Sequence, residues 1–324
     1  MSKKKITIDF DSEQITIIYD GNLVLREPSV IVRKKSESPV LLKFGNDVVS
    51  SSVLPNNSYI VRPFSQGKII DKVSARLLFK ACISKIFGKS KYLDIFVNIS
   101  SNLTLEEKND IENAFISSGY HSVYLVPKNK VIERLLALNS FYCGVFIDND
   151  ITELVIADNG NIISSYTLAV SYSVIVKNLH DNFEKDHKIV VDDNALIGIL
   201  KEKCSLFLND ETKITIDGYD SVTNNAHKLT ICACDLFPTI SIIYNNIVKL
   251  IQASIKDLDV TLARAIIKSG IVFCGEGTKI NGFEEYFASR LHTPCLISND
   301  VNIMGQLSNT LVNGNDEWIF KNVE

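Results

Sequence analysis

Two short polar turns follow apolar runs that end in aspartate, and both carry residue types that could bind a metal-bound phosphate. The first reads Asp9-Phe10-Asp11-Ser12-Glu13-Gln14, and the second reads Asp148-Asn149-Asp150-Ile151-Thr152-Glu153. Carboxylates at strand ends can hold a hydrated metal ion, and backbone N–H groups of tight turns can bind phosphate oxygens. An aspartate at a strand end is also a common turn former. Each turn is therefore either a candidate ligand site or an ordinary hairpin.

A third candidate is the turn Gly275-Glu276-Gly277-Thr278, which follows the apolar run Ile271–Cys274. Glycine lets a ligand approach the backbone closely, but it also permits a tight strand-to-helix turn. Cys232 and Cys234 form a C-x-C pair, which can bind metal; on an alternating strand, both would instead face the core. The seven cysteines are scattered through the chain, which indicates reduced thiols.

The elements that must position these turns form a repeated pattern. A strand–turn–strand–turn–strand meander opens the chain, and a second one begins about halfway along. The first meander comprises Ile6–Asp9, Gln14–Tyr19 and Leu23–Leu25, and the second comprises Gly144–Asp148, Thr152–Ala157 and Ile162–Ala169. Because each meander leads into helices, the sequence predicts two related α/β domains facing a cleft.

The remaining pattern predicts alternating helices and strands. Helices are expected at Val73–Phe87, Leu103–Ser118, Val131–Leu138, Ile189–Leu208, Ile240–Lys256, Val260–Lys268, Gly282–Leu291 and Val301–Leu311. Strands are expected at Tyr92–Ile99, Val123–Val126, Lys213–Ile216, Lys228–Cys232, Ile271–Cys274 and Cys295–Ile297. Thr104 followed by Glu107 predicts a capping box. Lys34–Ser58 is rich in serine, asparagine and proline, which predicts a loop-rich insert.

Composition restricts the class of protein. The 324 residues carry a net charge of −4, which lacks the basic excess of nucleic-acid binders, so no nucleic-acid partner is expected. No window reaches the roughly 20 apolar residues of a transmembrane helix. The basic Met1–Lys5 is followed by a stretch that Asp9 and Asp11 interrupt, unlike the apolar core of a secretory signal. We therefore expect a cytoplasmic protein.

Three further segments carry a family resemblance. Glu27-Pro28-Ser29-Val30 matches an E-P-S-V motif, and Arg62-Pro63-Phe64-Ser65-Gln66-Gly67 with Ile69-Ile70-Asp71 matches R-P-M-x-x-G-V-I-A-D. Cys274–Gly277 with Gly282-Phe283 is similar to the T-G-G-G and R-G-L-D segments that contact adenosine. In this order and spacing, the motifs resemble the MreB family of bacterial actin-like cell-shape proteins, from Ile6 to about Leu311.

The resemblance implies an actin-like α/β fold, a duplicated ribonuclease H-like fold whose two domains each have a large and a small subdomain around a central cleft. The expected first large subdomain comprises residues 1–32, 66–141 and 312–324, and the first small subdomain comprises 33–65. The second large subdomain is expected at 142–178 and 236–311, and the second small subdomain at 179–235.

The resemblance also implies ATP and Mg²⁺ as ligands. Asp9, Ser12, Gln14, Asp148, Gly275, Gly277 and Thr278 match the nucleotide-binding positions, with Asp9 and Asp148 as the metal ligands. Several matches depart from the family. Asp11 and Asp150 replace glycines of the phosphate loops, and Val170-Ser171 replaces a G-D motif. Glu276 replaces the middle glycine of the turn, and Val126 replaces the hydrolytic glutamate. The E-x-x-K pair that brackets the nucleoside falls on Leu196 and Ile199. These changes predict a vestigial nucleotide cleft without ATP hydrolysis.

By resemblance, the expected function is a cytoskeletal protein that forms or joins head-to-tail filaments beneath the membrane in cell-shape maintenance. Its expected partners are itself, other MreB-type proteins and the cell-wall elongation machinery. Lys3–Lys5 and the loop Gly88–Leu93 are candidates for weak contact with the inner face of the membrane, or are solvated surface. Two alternatives stay open. One is a membrane adaptor of a division or pilus system, which would be expected to carry an amphipathic tail, a pattern that Trp318–Glu324 does not show. The other is a nucleotide-dependent enzyme of the wider superfamily.

Overall fold

The computed structural model describes residues 3–36, 39–51, 53–298, 320 and 321. Its contacts divide the chain into two units, Met1–Leu135 with Asn302–Glu324, and Leu136–Val301. The predicted helix Val301–Leu311 lies outside the described residues, as does most of the segment 312–324.

The first unit begins with the predicted meander and continues through alternating helices and strands. Its elements are β1 (Lys4–Phe10), β2 (Gln14–Tyr19), β3 (Asn22–Pro28), β4 (Ile31–Lys34), β5 (Leu41–Phe44), α1 (Asn46–Val49), β6 (Ser58–Val61), β7 (Phe64–Ser65), β8 (Lys68–Ile69), α2 (Lys72–Phe87), β9 (Leu93–Ile99), α3 (Leu105–Ile116), β10 (Val123–Pro127) and α4 (Lys128–Asn139).

The main sheet of this unit has six strands, in the order Phe320–Lys321, β10, β9, β1, β2, β3. The strand β1 pairs parallel with β9 and antiparallel with β2, and β9 pairs parallel with β10. Ile6, Ile8 and Phe10 of β1 alternate into a core with α2 and α3, in which Phe79 stacks on Phe115 at a centroid distance of 4.4 Å. The alternation places Asp9 on the other side of the strand from this core.

The second unit follows the same plan. Its elements are β11 (Cys143–Ile147), β12 (Thr152–Asp158), β13 (Asn161–Leu168), α5 (Tyr172–His187), β14 (Ile189–Val190), α6 (Asp193–Glu202), β15 (Lys213–Asp220), β16 (Ala226–Cys232), a 3-10 helix (Ala233–Leu236), α7 (Phe237–Lys256), α8 (Val260–Ser269), β17 (Ile271–Cys274), a 3-10 helix (Glu276–Thr278), α9 (Phe283–Leu291) and β18 (Cys295–Ile297).

The duplication predicted from the sequence is confirmed by the strand order. The second main sheet runs β13, β12, β11, β17, β18. Its first strand, β11, pairs antiparallel with β12 and parallel with β17, just as β1 pairs with β2 and β9. In both units, therefore, the hairpin after the first strand lies at the same edge of the sheet as the C-terminal end of the parallel neighbouring strand.

Each unit also has a small three-stranded sheet. The first has the order β5, β4, β6, and the second has the order β14, β15, β16. Glu27, the acid of the E-P-S-V motif, is buried, and its carboxylate accepts the N–H of Asn46 at 2.8 Å and contacts the Lys85 ammonium at 2.6 Å. This motif glutamate therefore ties α1 to α2.

Local signals predicted several details correctly. Thr104 and Glu107 form the expected capping box at the start of α3. The salt bridge with Lys68 and the capping N–H of Thr104 hold the pKa of Glu107 below its usual range. Five of the seven cysteines are buried and all are free, and burial raises the pKa of the Cys274 thiol to about 12. Among the described helices, none has the length and apolarity needed to cross a membrane.

Some predictions of local structure differ from the observed elements. The helix expected at Ile189–Leu208 is shorter, Asp193–Glu202, because Ile189–Val190 pairs as a strand with β15. The helix Tyr172–His187 was not predicted. Lys34–Ser58 is loop-rich as predicted, with one strand, Leu41–Phe44, and one helical turn, Asn46–Val49. Cys234 lies in a 3-10 helix beyond the end of β16, so Cys232 and Cys234 do not share a strand.

Candidate functional site

The first hairpin joins β1 to β2. The last two pairs of the ladder are Asp9 with Thr16 and Phe10 with Ile15. The turn is closed by the N–H of Asp11, which donates to the carbonyl of Gln14 at 2.9 Å. Ser12 and Gln14, two predicted ligand positions, therefore lie in the turn, and Asp9 lies at the end of its first strand.

The carboxylate of Asp11 caps this turn. One of its oxygens, Oδ1, accepts the backbone N–H groups of both Glu13 and Gln14 at 2.7 Å. Asp11 is 5% exposed, so the carboxylate makes these bonds away from bulk water. Charge-assisted bonds of this length are among the stronger hydrogen bonds in proteins. The donors that a phosphate-binding hairpin would present are thus already bonded to a side chain of the same turn.

A buried lysine lies beside this hairpin. Lys128 is the first residue of α4, directly after the end of β10, and its side chain is 4% exposed. Its Nζ is 3.4 Å from Oδ1 of Asp9. The sequence did not predict the contact between Lys128 and Asp9. That contact depends on β10 and β1 lying on either side of β9.

The R-P-x-x-x-G segment also reaches the first hairpin. Nη1 of Arg62 is 3.4 Å from the Glu13 carboxylate and 3.4 Å from the carbonyl oxygen of Ser12. The Arg62 side chain is 45% exposed, so this contact is a surface ion pair of small energetic value. It joins the R-P-x-x-x-G segment to the first hairpin.

The second hairpin joins β11 to β12 and is closed by the same kind of backbone bond as the first. The N–H of Asp148 donates to the carbonyl of Ile151 at 2.9 Å, and Oδ1 of Asp148 accepts the N–H of Asn149 at 2.8 Å. Asp148, Asn149, Asp150 and Ile151 are all no more than 6% exposed. The turn therefore bends on its own bonds without the glycines of the family motif.

This second hairpin is bonded to the start of α5. The N–H of Tyr172 donates to the carbonyl of Asp148 at 3.1 Å, and the N–H of Ser173 donates to the carbonyl of Asn149 at 3.0 Å. The buried hydroxyl of Thr152 donates to the carbonyl of Val170, just before the helix. Donors at a helix N-terminus are common anion-binding groups, but here the hairpin backbone accepts two of them.

The glycine turn packs directly on the strand that leads into the second hairpin. Gly275 has φ +100, and a Cβ there would lie 2.3 Å from the carbonyl oxygen of Ile147. A Cβ on Gly277 would lie 2.3 Å from Cγ2 of the same isoleucine. Thr278 closes the turn, because its hydroxyl donates to the Gly275 carbonyl at 2.9 Å. Packing alone therefore requires both glycines.

Glu276, between these glycines, is held by two lysines. Its carboxylate oxygens are 2.6 Å from the ammonium of Lys201 on α6 and 2.6 Å from that of Lys279. Burial alone would raise the pKa of Glu276, but the two lysines outweigh it and hold the pKa below its ordinary value. The carboxylate thus stays ionised and ties α6 to the glycine turn.

The predicted site residues fall into two groups. Asp9, Ser12 and Gln14 lie together in the first hairpin, and Asp148 lies at the end of β11 beside the Gly275–Thr278 turn on the adjoining β17. Leu196 and Ile199, the positions matched to the nucleoside bracket, are buried core residues. The charged residue of α6 that reaches the turn is Lys201. Within the described residues, no cluster of three or more His, Cys, Asp or Glu side chains could hold a metal.

Comparison with known proteins identifies the family of this chain. Residues 3–306 match the profile of the MreB/Mbl protein family. The chain is 23% identical to the cell shape-determining protein Mbl of Bacillus subtilis over 312 residues, and 24% identical to that of Bacillus cereus over 310 residues, with 92% of each chain covered in both cases.

Solved structures share the fold. The crystal structure of MreB5 of Spiroplasma citri bound to AMPPNP matches with a TM-score of 0.84 at 20% identity, covering 96% of each chain. The structure of MreB5 bound to ADP matches with a TM-score of 0.83 at 20% identity, covering 96% of this chain and 99% of the other. The predicted actin-like fold is thereby confirmed, and the chain belongs to the MreB/Mbl family.

Proposed function

We propose that this chain is an actin-like cytoskeletal protein of cell-shape maintenance whose filaments assemble without ATP turnover. Family membership and the cell shape-determining relatives support the cytoskeletal part. The observation that carries the second part is the Asp11 carboxylate, which accepts the N–H groups of Glu13 and Gln14 at 2.7 Å. A bound phosphate would have to displace this carboxylate from the same donors.

The proposal sets this chain apart from its structural neighbours in nucleotide binding. The MreB5 structures hold AMPPNP and ADP. Three observations support a poor fit to a metal-bound phosphate: Asp11 caps the first hairpin, an ammonium pairs with Asp9, and the first N–H groups of α5 are bonded to the second hairpin. Val126, in the position matched to the hydrolytic glutamate, has no group that could orient a water. We therefore propose that ATP and Mg²⁺ are not ligands of this chain.

The proposed partners are further copies of the chain, other MreB-type proteins and the cell-wall elongation machinery. The proposed location is the inner face of the membrane. The two small sheets support the proposed small subdomains at 33–65 and 179–235. Membrane contact would use Lys3–Lys5 and the Gly88–Leu93 loop, where Tyr92 is 56% exposed. Pelleting with anionic liposomes in low salt tests this contact; protein that stays entirely in the supernatant contradicts it.

The test of the main proposal is assembly of the purified chain followed by light scattering and sedimentation, with and without ATP and Mg²⁺. We expect the same assembly in both conditions and no phosphate release above background. Assembly that occurs only with the nucleotide would contradict the proposal, and so would phosphate release that rises with polymer mass.

A further inference from the structure

We infer that two side chains of this chain, Asp11 and Lys128, take the places of a phosphate and a metal ion at the first hairpin and keep both ligands out. The inference rests on the proposed function and deepens it, because it names the groups that close the site. Both side chains belong to the same structural unit and contact the same strand–turn segment, Asp9 to Gln14.

Asp11 takes the place of the anion. Its Oδ1 accepts two successive backbone N–H groups, from Glu13 and Gln14, which is how a turn binds an oxyanion. The residue is 5% exposed, so a second anion at these donors would lie against a poorly solvated negative charge. Asp11 must therefore leave before any phosphate oxygen can be bound.

Lys128 takes the place of the cation. A lysine at the first position of a helix meets the positive end of the helix dipole, and its burial removes water from the ammonium. Such a group needs an ionised partner, which Asp9 provides at 3.4 Å. A divalent cation at Asp9 would lie next to this ammonium, so the lysine and a metal ion exclude each other.

The first experiment removes the cation. In Lys128→Met, the carboxylate of Asp9 loses its partner, and we expect Tm to fall by roughly 10 °C. Millimolar MnCl₂ should then raise the Tm of this variant by roughly 3 °C, while the wild type and Lys130→Met do not respond. Lys130 is the matched control, because it lies on the same helix and pairs with Glu133 nearer the surface.

The double variant Asp9→Asn with Lys128→Met keeps the test decisive if the single variant does not fold. Replacing both charges removes the carboxylate that Lys128 had neutralised, so we expect most of the lost Tm to return and the MnCl₂ response to vanish. A double variant that is no more stable than Lys128→Met would overturn the inference, and so would a Lys128→Met variant with the Tm and MnCl₂ response of the wild type.

The second experiment removes the anion. In Asp11→Gly, the N–H groups of Glu13 and Gln14 lose their acceptor, and we expect millimolar pyrophosphate to raise Tm by roughly 3 °C. Asp11→Asn keeps an oxygen at the same position and should not respond. A response of the wild type equal to that of Asp11→Gly would overturn the inference, as would no response in Asp11→Gly.

These results are separable from the proposed function. If the wild type assembles equally with and without ATP and Mg²⁺ but neither variant gains a ligand response, this inference fails and the proposed function stands. If the wild type assembles only with nucleotide, the proposed function fails at once, whatever the variants do.

Discussion

In the first hairpin a carboxylate accepts two N–H groups of its own turn, whereas in the second hairpin two backbone carbonyls accept N–H groups of the following helix, α5. Asp11 accepts two N–H groups of its own turn. The carbonyls of Asp148 and Asn149 instead accept the first N–H groups of α5. Both hairpins follow the first strand of a meander, and neither turn contains a glycine.

This difference determines how easily each hairpin could be reopened. A side-chain acceptor can be deleted by one substitution while the backbone path of the turn remains. A backbone acceptor cannot be deleted in this way, and the buried turn at Asp148–Ile151 has packed around its bonds. Under the proposed function, a side chain keeps phosphate out of the first hairpin, and the backbone conformation keeps it out of the second.

The largest expected effect disrupts the support of the second hairpin. Gly275→Ala places a Cβ 2.3 Å from the Ile147 carbonyl oxygen at a φ of +100, and we expect a loss of about 3 kcal/mol in the free energy of unfolding. The matched control is Gly160→Ala, whose φ is +76 but whose Cβ would meet no atom within 4 Å. It should cost about 1 kcal/mol. Equal losses in denaturant titrations would refute the packing explanation.

A smaller effect is expected from the hydroxyl that joins the second hairpin to α5. Thr152→Val removes the donor to the Val170 carbonyl at a fully buried position, and we expect a loss of about 1–2 kcal/mol in the free energy of unfolding. Thr152→Ser keeps the hydroxyl and serves as the control for the bond. If urea denaturation shows the valine variant to be the more stable of the two, the bond is not what holds this junction.

A third effect depends on pH. The pKa of Glu276 is lowered by Lys201 and Lys279, so folding favours its ionised form. Its contribution is complete above its ordinary pKa of about 4.5 and is lost as the pH falls through the lower pKa of the folded chain. Glu276→Gln should lower the free energy of unfolding by about 1 kcal/mol at pH 7. The difference from the wild type should shrink under acid, and a constant difference down to pH 3 would contradict this account.

The smallest expected effect is none at all, and it is the sharpest test of the comparison. Asp150→Gly restores a glycine to the second hairpin, but the N–H groups of Tyr172 and Ser173 stay bonded to hairpin carbonyls. We therefore expect no Tm shift with millimolar pyrophosphate, in contrast to Asp11→Gly. A comparable shift in both variants would show that the two hairpins are blocked in the same way.

The sequence predicted the architecture well, because that part of the fold depends on local alternation. Both meanders, and the strand-end positions of Asp9 and Asp148, follow from apolar periodicity and turn residues. The missed helix, α5, carried a signal too: Tyr172, Ile175, Val176, Leu179 and Phe183 are buried at helical spacing. Ile189–Val190 was assigned to a helix because its apolar run is ambiguous until its partner strand, β15, is known.

In the candidate site, the contacts within one turn could be predicted from the sequence, but the contacts between distant elements could not. The cap of Asp11 is predictable from the sequence, because an aspartate commonly accepts N–H groups two and three residues ahead. The pairing of Lys128 with Asp9 could not be foreseen, since it depends on the strand order β10, β9, β1. Lys201 was missed for a similar reason: its contact with Glu276 joins two elements far apart in the chain.

The Asp11 cap also sets how this hairpin would respond to ligand concentration. A carboxylate fixed in the turn acts as a tethered competitor, and even flexibly tethered groups reach effective concentrations in the millimolar range. Asp11 is positioned by its own turn, so its effective concentration is higher still, and it does not dilute. A dissolved phosphate compound would have to exceed that local concentration at equal affinity. Under the proposed function, the hairpin would therefore not respond to changes in nucleotide concentration.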